Sequence, residues 1–184
     1  AFILMAIPGG LHAAEVGSIA ALRGEVSIVR DGAASAAEAG MRLMPGDRVT
    51  TGRRGMALLQ FRGGLTLTVA RDTELVVGDA APSAIAATMA GWLELVDGLL
   101  RAVLSAPREE REVDVRTPLA VTSVRSTEWT VQHEDDHTAV FCRVGSVAVA
   151  AAGEVVTLAE GDGTDVRGSA PPRAPVQWGE PRVA

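Results

Sequence analysis

From Glu15 onward, apolar residues recur at every second position in short runs, and each run ends in a Gly-rich or charged cluster. Alternation sends successive side chains to opposite faces, so such runs read as half-buried β-strands. They cover 16–22, 25–30, 48–51, 56–61, 65–69, 74–77, 119–124, 127–132, 138–143, 146–150 and 154–158. Turn signals separate them: Arg30-Asp31-Gly32, Pro45-Gly46-Asp47, Gly63-Gly64, Gly78-Asp79, Glu134-Asp135-Asp136 and Gly161-Asp162-Gly163. Short strands at this spacing predict an all-β sandwich, barrel or solenoid.

One run slips out of phase. In TPLAVTSVRSTEWTV (117–131), Leu119 and Val121 share a parity, Val124 takes the other, and Trp129 and Val131 return to the first. A slip of this kind requires a bend, a bulge or a corner, here at 123–126. Residues 85–104 pose a different question. Ile85, Met89, Trp92, Leu93, Val96, Leu99, Leu100, Val103 and Leu104 follow helical spacing, with Ser83 placed to cap. Gly91 and Gly98 interrupt that helix at about 1 kcal/mol each, and Asp97-Gly98 is also a tight-turn pair for a hairpin of 92–96 with 99–104.

A weak internal echo accompanies the strands. GEVSIV (24–29) followed by LMPGDRVTTG (43–52) resembles GEVVTL (153–158) running into LAEGDGTDV (158–166). Repeated strand–turn units suit a stacked β-architecture, whose terminal strands, 16–22 and 154–158, would be its edges.

The length of 184 residues fits one domain with a real core. Net charge is −6, and the 17 basic residues, apart from His all Arg, are scattered among the acids, which argues against nucleic acid as a partner. Residues 1–14, AFILMAIPGGLHAA, form an apolar run that ends in small residues, the pattern of a signal peptide cut short at its start. The mature domain is then 15–167, with no membrane span, in the periplasm or outside the cell. The Pro-rich stretch 168–184 reads as a tail or linker. The single Cys142 sits in AVFCRV as a buried small hydrophobe.

Catalytic patterns are missing. His133 and His137 bracket three acids in HEDDH, but strands flank the five residues, so they read as a solvated hairpin turn and no metal is expected there. The mature chain has no further His, which excludes a His-rich zinc site. No Gly-x-Ser-x-Gly elbow occurs, and RGGLTLT lacks the helix and Lys of a phosphate loop. No enzymatic activity and no cofactor are expected.

Read in order, 16–32, 43–75, 96–104, 115–131 and 144–163 resemble the FecR-domain family of bacterial envelope proteins. The most specific matches are Gly46, Asp47, Thr51 and Gly52 in GDRVTTG, and Thr117, Pro118, Arg125, Ser126, Thr127 and Trp129 in TP…VRSTEW. Two positions depart from the family pattern: Arg62-Gly63-Gly64 replaces Asp-Gly-Ser, and Ser126 replaces the Gly of Val-Arg-Gly-Thr. The resemblance implies an all-β domain of β-helical or solenoid type with a coil corner at Ser126. It moves 92–104 from helix toward hairpin. It also implies a non-catalytic role in protein interaction or signalling, as in the periplasmic parts of sensors that regulate sigma factors, classically in iron uptake. The expected partner is an envelope protein. The alternative role is a secreted module that binds cell wall or carbohydrate.

Overall fold

A computed structural model describes residues 15–78, 91–105, 113–124 and 127–178. Among them are seventeen strands in two sheets and no helix. Sheet I runs, edge to edge, β4 (Arg42–Leu43), β1 (Gly17–Arg23), β6 (Met56–Phe61), β7 (Leu65–Val69), β9 (Gly91–Leu104), β12 (Glu128–Glu134), β13 (His137–Val144), β16 (Asp162–Arg167) and β17 (Val176–Gln177). Sheet II runs β3 (Ala33–Ala36), β2 (Val26–Arg30), β5 (Arg48–Thr51), β8 (Thr73–Val77), β9 again, β10 (Val113–Arg116), β11 (Val121–Val124), β14 (Val147–Ala151) and β15 (Glu154–Leu158).

One strand therefore belongs to both sheets. The first half of β9 pairs with β8 and β10, and the second half with β7 and β12. The change falls at Gly98, whose φ is 98°. A register shift against β8 leaves Val96 as an extra residue just before it, a bulge that adds to the bend. Buried parity flips across this point, from Leu93 and Leu95 to Leu100, Ala102 and Leu104. That flip explains why 92–104 imitates a helix: two period-2 patterns joined out of phase give apolar residues at three and four apart. The structure corrects both readings of these residues. They form neither a helix nor a hairpin but a single bent strand; residues 85–90 lie outside the described ones.

The phase slip in 117–131 has the same origin. Val121 lies on the outer face of sheet II, half-buried, while Val124 enters the core. The next strand, β12, is in sheet I, where Trp129 and Val131 enter the core from the other side. The chain thus crosses between sheets after Val124. Arg125 and Ser126 lie outside the described residues.

Every pairing except that of β9 with β10 is antiparallel. The expected β-helical or solenoid-like stack is not confirmed by this pairing. Two-residue turns set part of it. Asp31-Gly32 and Ala152-Gly153 have positive φ at both positions, the turn that closes a twisted hairpin and forces its strands antiparallel. Alternation sets which residues face inward but not which strand lies alongside.

The core is one apolar layer between the sheets. Sheet I contributes Ile19, Leu59, Leu67, Trp129, Val131 and Val140, and sheet II contributes Ile28, Val49, Leu75, Leu93, Val115 and Val149. Cys142 is buried in the same layer, and burial pushes its thiol pKa up. It behaves as a small hydrophobe.

The echo proves to be real but differently aligned. GEVSIV (24–29) corresponds to GSVAVA (145–150), not to GEVVTL. In each copy a sheet I strand crosses at a positive-φ glycine, Gly24 or Gly145, into a sheet II hairpin. In each a Leu-x-x-Gly-Asp turn follows, at once after β15 (Leu158–Asp162) but only after the intervening β4 in the first copy (Leu43–Asp47). The copies part there, since β5 returns to sheet II and β16 goes to sheet I.

Candidate functional site

The two Leu-x-x-Gly-Asp turns share one geometry. The backbone N–H of Asp47 donates to Met44 C=O (3.1 Å), and that of Asp162 to Ala159 C=O (3.0 Å). In return Asp47 Oδ2 accepts from Met44 N–H (2.8 Å) and Asp162 Oδ2 from Ala159 N–H (3.1 Å). Gly46 (φ 90°) and Gly161 (φ 84°) supply the left-handed position that type II turns need. Asp47 carries more than the turn. Its side chain is fully buried and binds the Arg30 guanidinium at both oxygens, Nε to Oδ1 and Nη2 to Oδ2, each at 2.7 Å. Arg30 also donates to Arg42 C=O (2.8 Å), and its pKa is raised, chiefly by the hydrogen bond to Asp47. The motif's Asp thus ties together β2, β4 and β5.

Thr51 and Gly52 sit at the next crossing, from β5 to β6. Gly52 N–H donates to Glu25 C=O (2.9 Å), and its own carbonyl accepts from Gly55 (2.8 Å) and Asp72 (3.2 Å). The Thr51 hydroxyl donates to Ala70 C=O (2.5 Å) and accepts from Thr73 N–H (3.0 Å). Thr73 repeats the device one strand on, accepting from Leu99 N–H (3.0 Å) and donating to Arg71 C=O (3.0 Å). Both threonines are buried. Where strands leave one sheet for another their ladder bonds end, and these hydroxyls satisfy the freed backbone groups. Thr73→Val keeps the shape and removes the hydroxyl, so we expect about 1–3 kcal/mol of lost stability in a urea melt. A loss below the error of the melt would mean that water takes over the bond.

Thr117 to Trp129 build a second polar seam. Thr117 Oγ1 accepts from Ala120 N–H (3.0 Å) and meets Thr138 Oγ1 (3.0 Å), which in turn meets His133 Nδ1 (2.8 Å). All three side chains are buried, whereas Pro118 is exposed beside them. Thr127 donates to Val144 C=O, holding the entry to β12 against β13. Trp129 is fully buried, and its Nε1–H has no hydrogen-bond acceptor among the described residues. The two imidazoles of HEDDH do not converge. His133 turns into the core, while His137 Nε2 meets Asp165 Oδ1 (2.7 Å) on the outer face of sheet I. Among the described residues no three His, Cys, Asp or Glu side chains are grouped to hold a metal ion.

The ten motif residues therefore divide by role. Gly46, Asp47, Thr51, Gly52, Thr117, Thr127 and Trp129 are framework, Pro118 is surface, and Arg125 and Ser126 are outside the described set. The sequence model for the family described as FecR protein matches residues 47–148, more than half of the chain. The chain belongs to the FecR family. No curated protein matches it. Two solved structures, each of a candidate anti-sigma factor from Parabacteroides distasonis ATCC 8503, are similar to it with a TM-score of 0.59 at 17% identity. Each match covers 71% of this chain and 59% of the other, so this chain spans under two thirds of the structures it resembles. At that identity the likeness is one of fold.

Two strands of this FecR domain leave an edge of sheet II open. Among the described residues β3 pairs with β2 alone and β15 with β14 alone, so they border sheet II. The expectation that 154–158 is an edge is met. The companion expectation for 16–22 is met in part, because β4 covers only Gly17 and Ser18 of β1, while Ala21–Arg23 pair with β6 alone. β3 carries no strand signal in the sequence, since Ala-Ala-Ser-Ala has no apolar alternation. Along β15, Val155 is 64% exposed, and Glu154 and Thr157 are exposed with it. The outer neighbours of Val155 and Thr157 are the small residues Ala150 and Ala148. At the border of sheet I, residues 168–178 lie along β16: Arg173 N–H donates to Asp165 C=O (3.0 Å) and the Trp178 ring stacks parallel to Phe141. No described helix is long and apolar enough to cross a membrane.

Proposed function

We propose that this FecR domain is a non-catalytic envelope module that takes part in signalling by binding another protein, with β15 as the docking strand. The observation that carries the reading is the open edge of β15 with its exposed Val155. An added strand gains affinity through main-chain hydrogen bonds and selectivity through alternate side chains. Family membership and the anti-sigma-factor description of the structural relatives support a place in the regulation of a sigma factor. The apolar stretch 1–14, outside the described residues, supports a periplasmic or secreted location.

A photo-crosslinking residue in place of Val155, introduced in the producing cell, tests the proposal. The expected product is a protease-sensitive adduct to one protein, and Val155→Lys expressed beside the wild type should bind that protein at least about tenfold more weakly, because a charge on an edge strand opposes pairing. An adduct destroyed by lysozyme instead would replace this reading with that of a wall-binding module.

A further inference from the structure

At one end of the molecule, four crossings between the sheets surround an open cleft of about 940 Å³. The crossings are those at Gly24, at Gly52–Gly55, at Ala70–Asp72 and within β9 at Gly98, with the β12–β13 turn beside them. Pairing fixes their order across sheet I as β1, β6, β7, β9, β12. The charged residues follow that order. Arg23 closes β1, Arg53 and Arg54 precede β6, and Arg71 follows β7. Asp72 adjoins Arg71 at the midpoint, Asp97 lies on β9, Glu134 ends β12 and Asp135 begins the turn after it. The rim is thus positive at one end and negative at the other.

These charges are not spent on each other. None of the four arginines has an ion-pair partner among the described residues, and neither do Asp97, Glu134 and Asp135. The chain as a whole is acidic, so four unneutralised arginines at one end run against its average. Exposed arginines normally sit among acids; a cluster left unpaired around a concavity is arranged for an external anion. The acidic far wall repels a uniform polyanion. A ligand carrying both signs fits the whole rim.

We infer that this cleft binds an extended peptide segment with an acidic end and a basic end, acids on Arg23, Arg53, Arg54 and Arg71 and bases on Asp97, Glu134 and Asp135. Four strand spacings of about 4.8 Å give a rim of roughly 19 Å, which an extended chain rising about 3.3 Å per residue spans with about six residues. The site is separate from the β15 edge, so either assignment can fail alone.

Fluorescence anisotropy of the full chain with a labelled Glu-Asp-Ser-Ser-Lys-Lys peptide tests the inference. We expect saturable binding that weakens about tenfold from low to high salt as the Debye length contracts. The exposed double substitution Arg53→Ala/Arg54→Ala should weaken binding at least tenfold, Arg71→Ala and Glu134→Gln should each weaken it severalfold, and Arg173→Ala, outside the cleft, should leave it unchanged. Val155→Lys should also leave it unchanged. Tighter binding of hexaglutamate or inorganic polyphosphate than of the mixed peptide would overturn the inference, because the acidic wall would then have no role. So would an absence of binding at millimolar peptide, or equal binding by the Arg71→Ala protein.

Discussion

Gly98→Ala is expected to cost about 4 kcal/mol or more, enough to unfold much of the protein at room temperature. Two effects add. The φ of 98° is strained for any residue with a Cβ, at roughly 1–2 kcal/mol. The new Cβ would also stand 2.3 Å from Thr73 Oγ1, 2.6 Å from Thr73 Cα and 2.7 Å from Asp72 C=O. Two of those neighbours are backbone and cannot swing away, so β8 and β9 must part there. Gly153→Ala separates the two effects, since Gly153 has φ 80° but open space around it; about 1–2 kcal/mol is expected there. Urea melts of the pair read the difference. Equal losses would mean that close approach at Gly98 is unimportant and that β9 bends elsewhere.

Arg30→Ala is expected to cost about 3 kcal/mol, and more than Asp47→Asn at about 1 kcal/mol. The asymmetry follows from burial. Asp47 has no exposed side-chain surface, whereas the Arg30 side chain is 44% exposed. When Asp47 is changed Arg30 can rehydrate, but when Arg30 is removed Asp47 stays buried as an uncompensated charge whose carboxylate keeps only the hydrogen bond from Met44 N–H. Asn at 47 can still accept from Met44. The solvated side of Arg30 screens the pair, so the expected figure sits at the low end of the range for buried pairs. Melts that rank Asp47→Asn as the worse substitution would show that the turn, and not the ion pair, is what the carboxylate holds.

Strand positions were legible because alternation is a local property: runs such as 56–61 and 65–69 coincide with β6 and β7. Strands without that signal escaped. β3 is alanine and serine, β10 is only Val-Asp-Val-Arg, and β16 alternates Thr and Val with Gly and Asp. The corner at Gly98 left its trace as a parity flip, but a flip inside a long apolar stretch looks the same as a helical repeat. The crossing after Val124 was easier to see, since polar residues flank it. Pairing partners were not legible, because nothing in 91–104 says that β8 and β10 flank one half and β7 and β12 the other. The site followed the same division. The motif residues were visible as motif, with Asp47, Thr51 and Thr117 now placed as tethers of backbone. The arginine cleft was not visible at all, for its residues run from 23 to 135 and only the strand order of sheet I brings them into line.

Because β9 is hydrogen-bonded to β7, β8, β10 and β12, neither layer can be peeled away while the other stays intact. Local opening in a β-protein ordinarily starts at an edge and stops at the first strand whose loss is too costly. Here that strand is common to both layers, so an opening that reaches it from either side releases the whole molecule. Fraying of β3, β15 or β17 can be tolerated as private events, and a partner that pulls on one of them loads a hub joined by covalent chain to the opposite face. A force or a bound strand at one border is thereby felt across both sheets without any hinge.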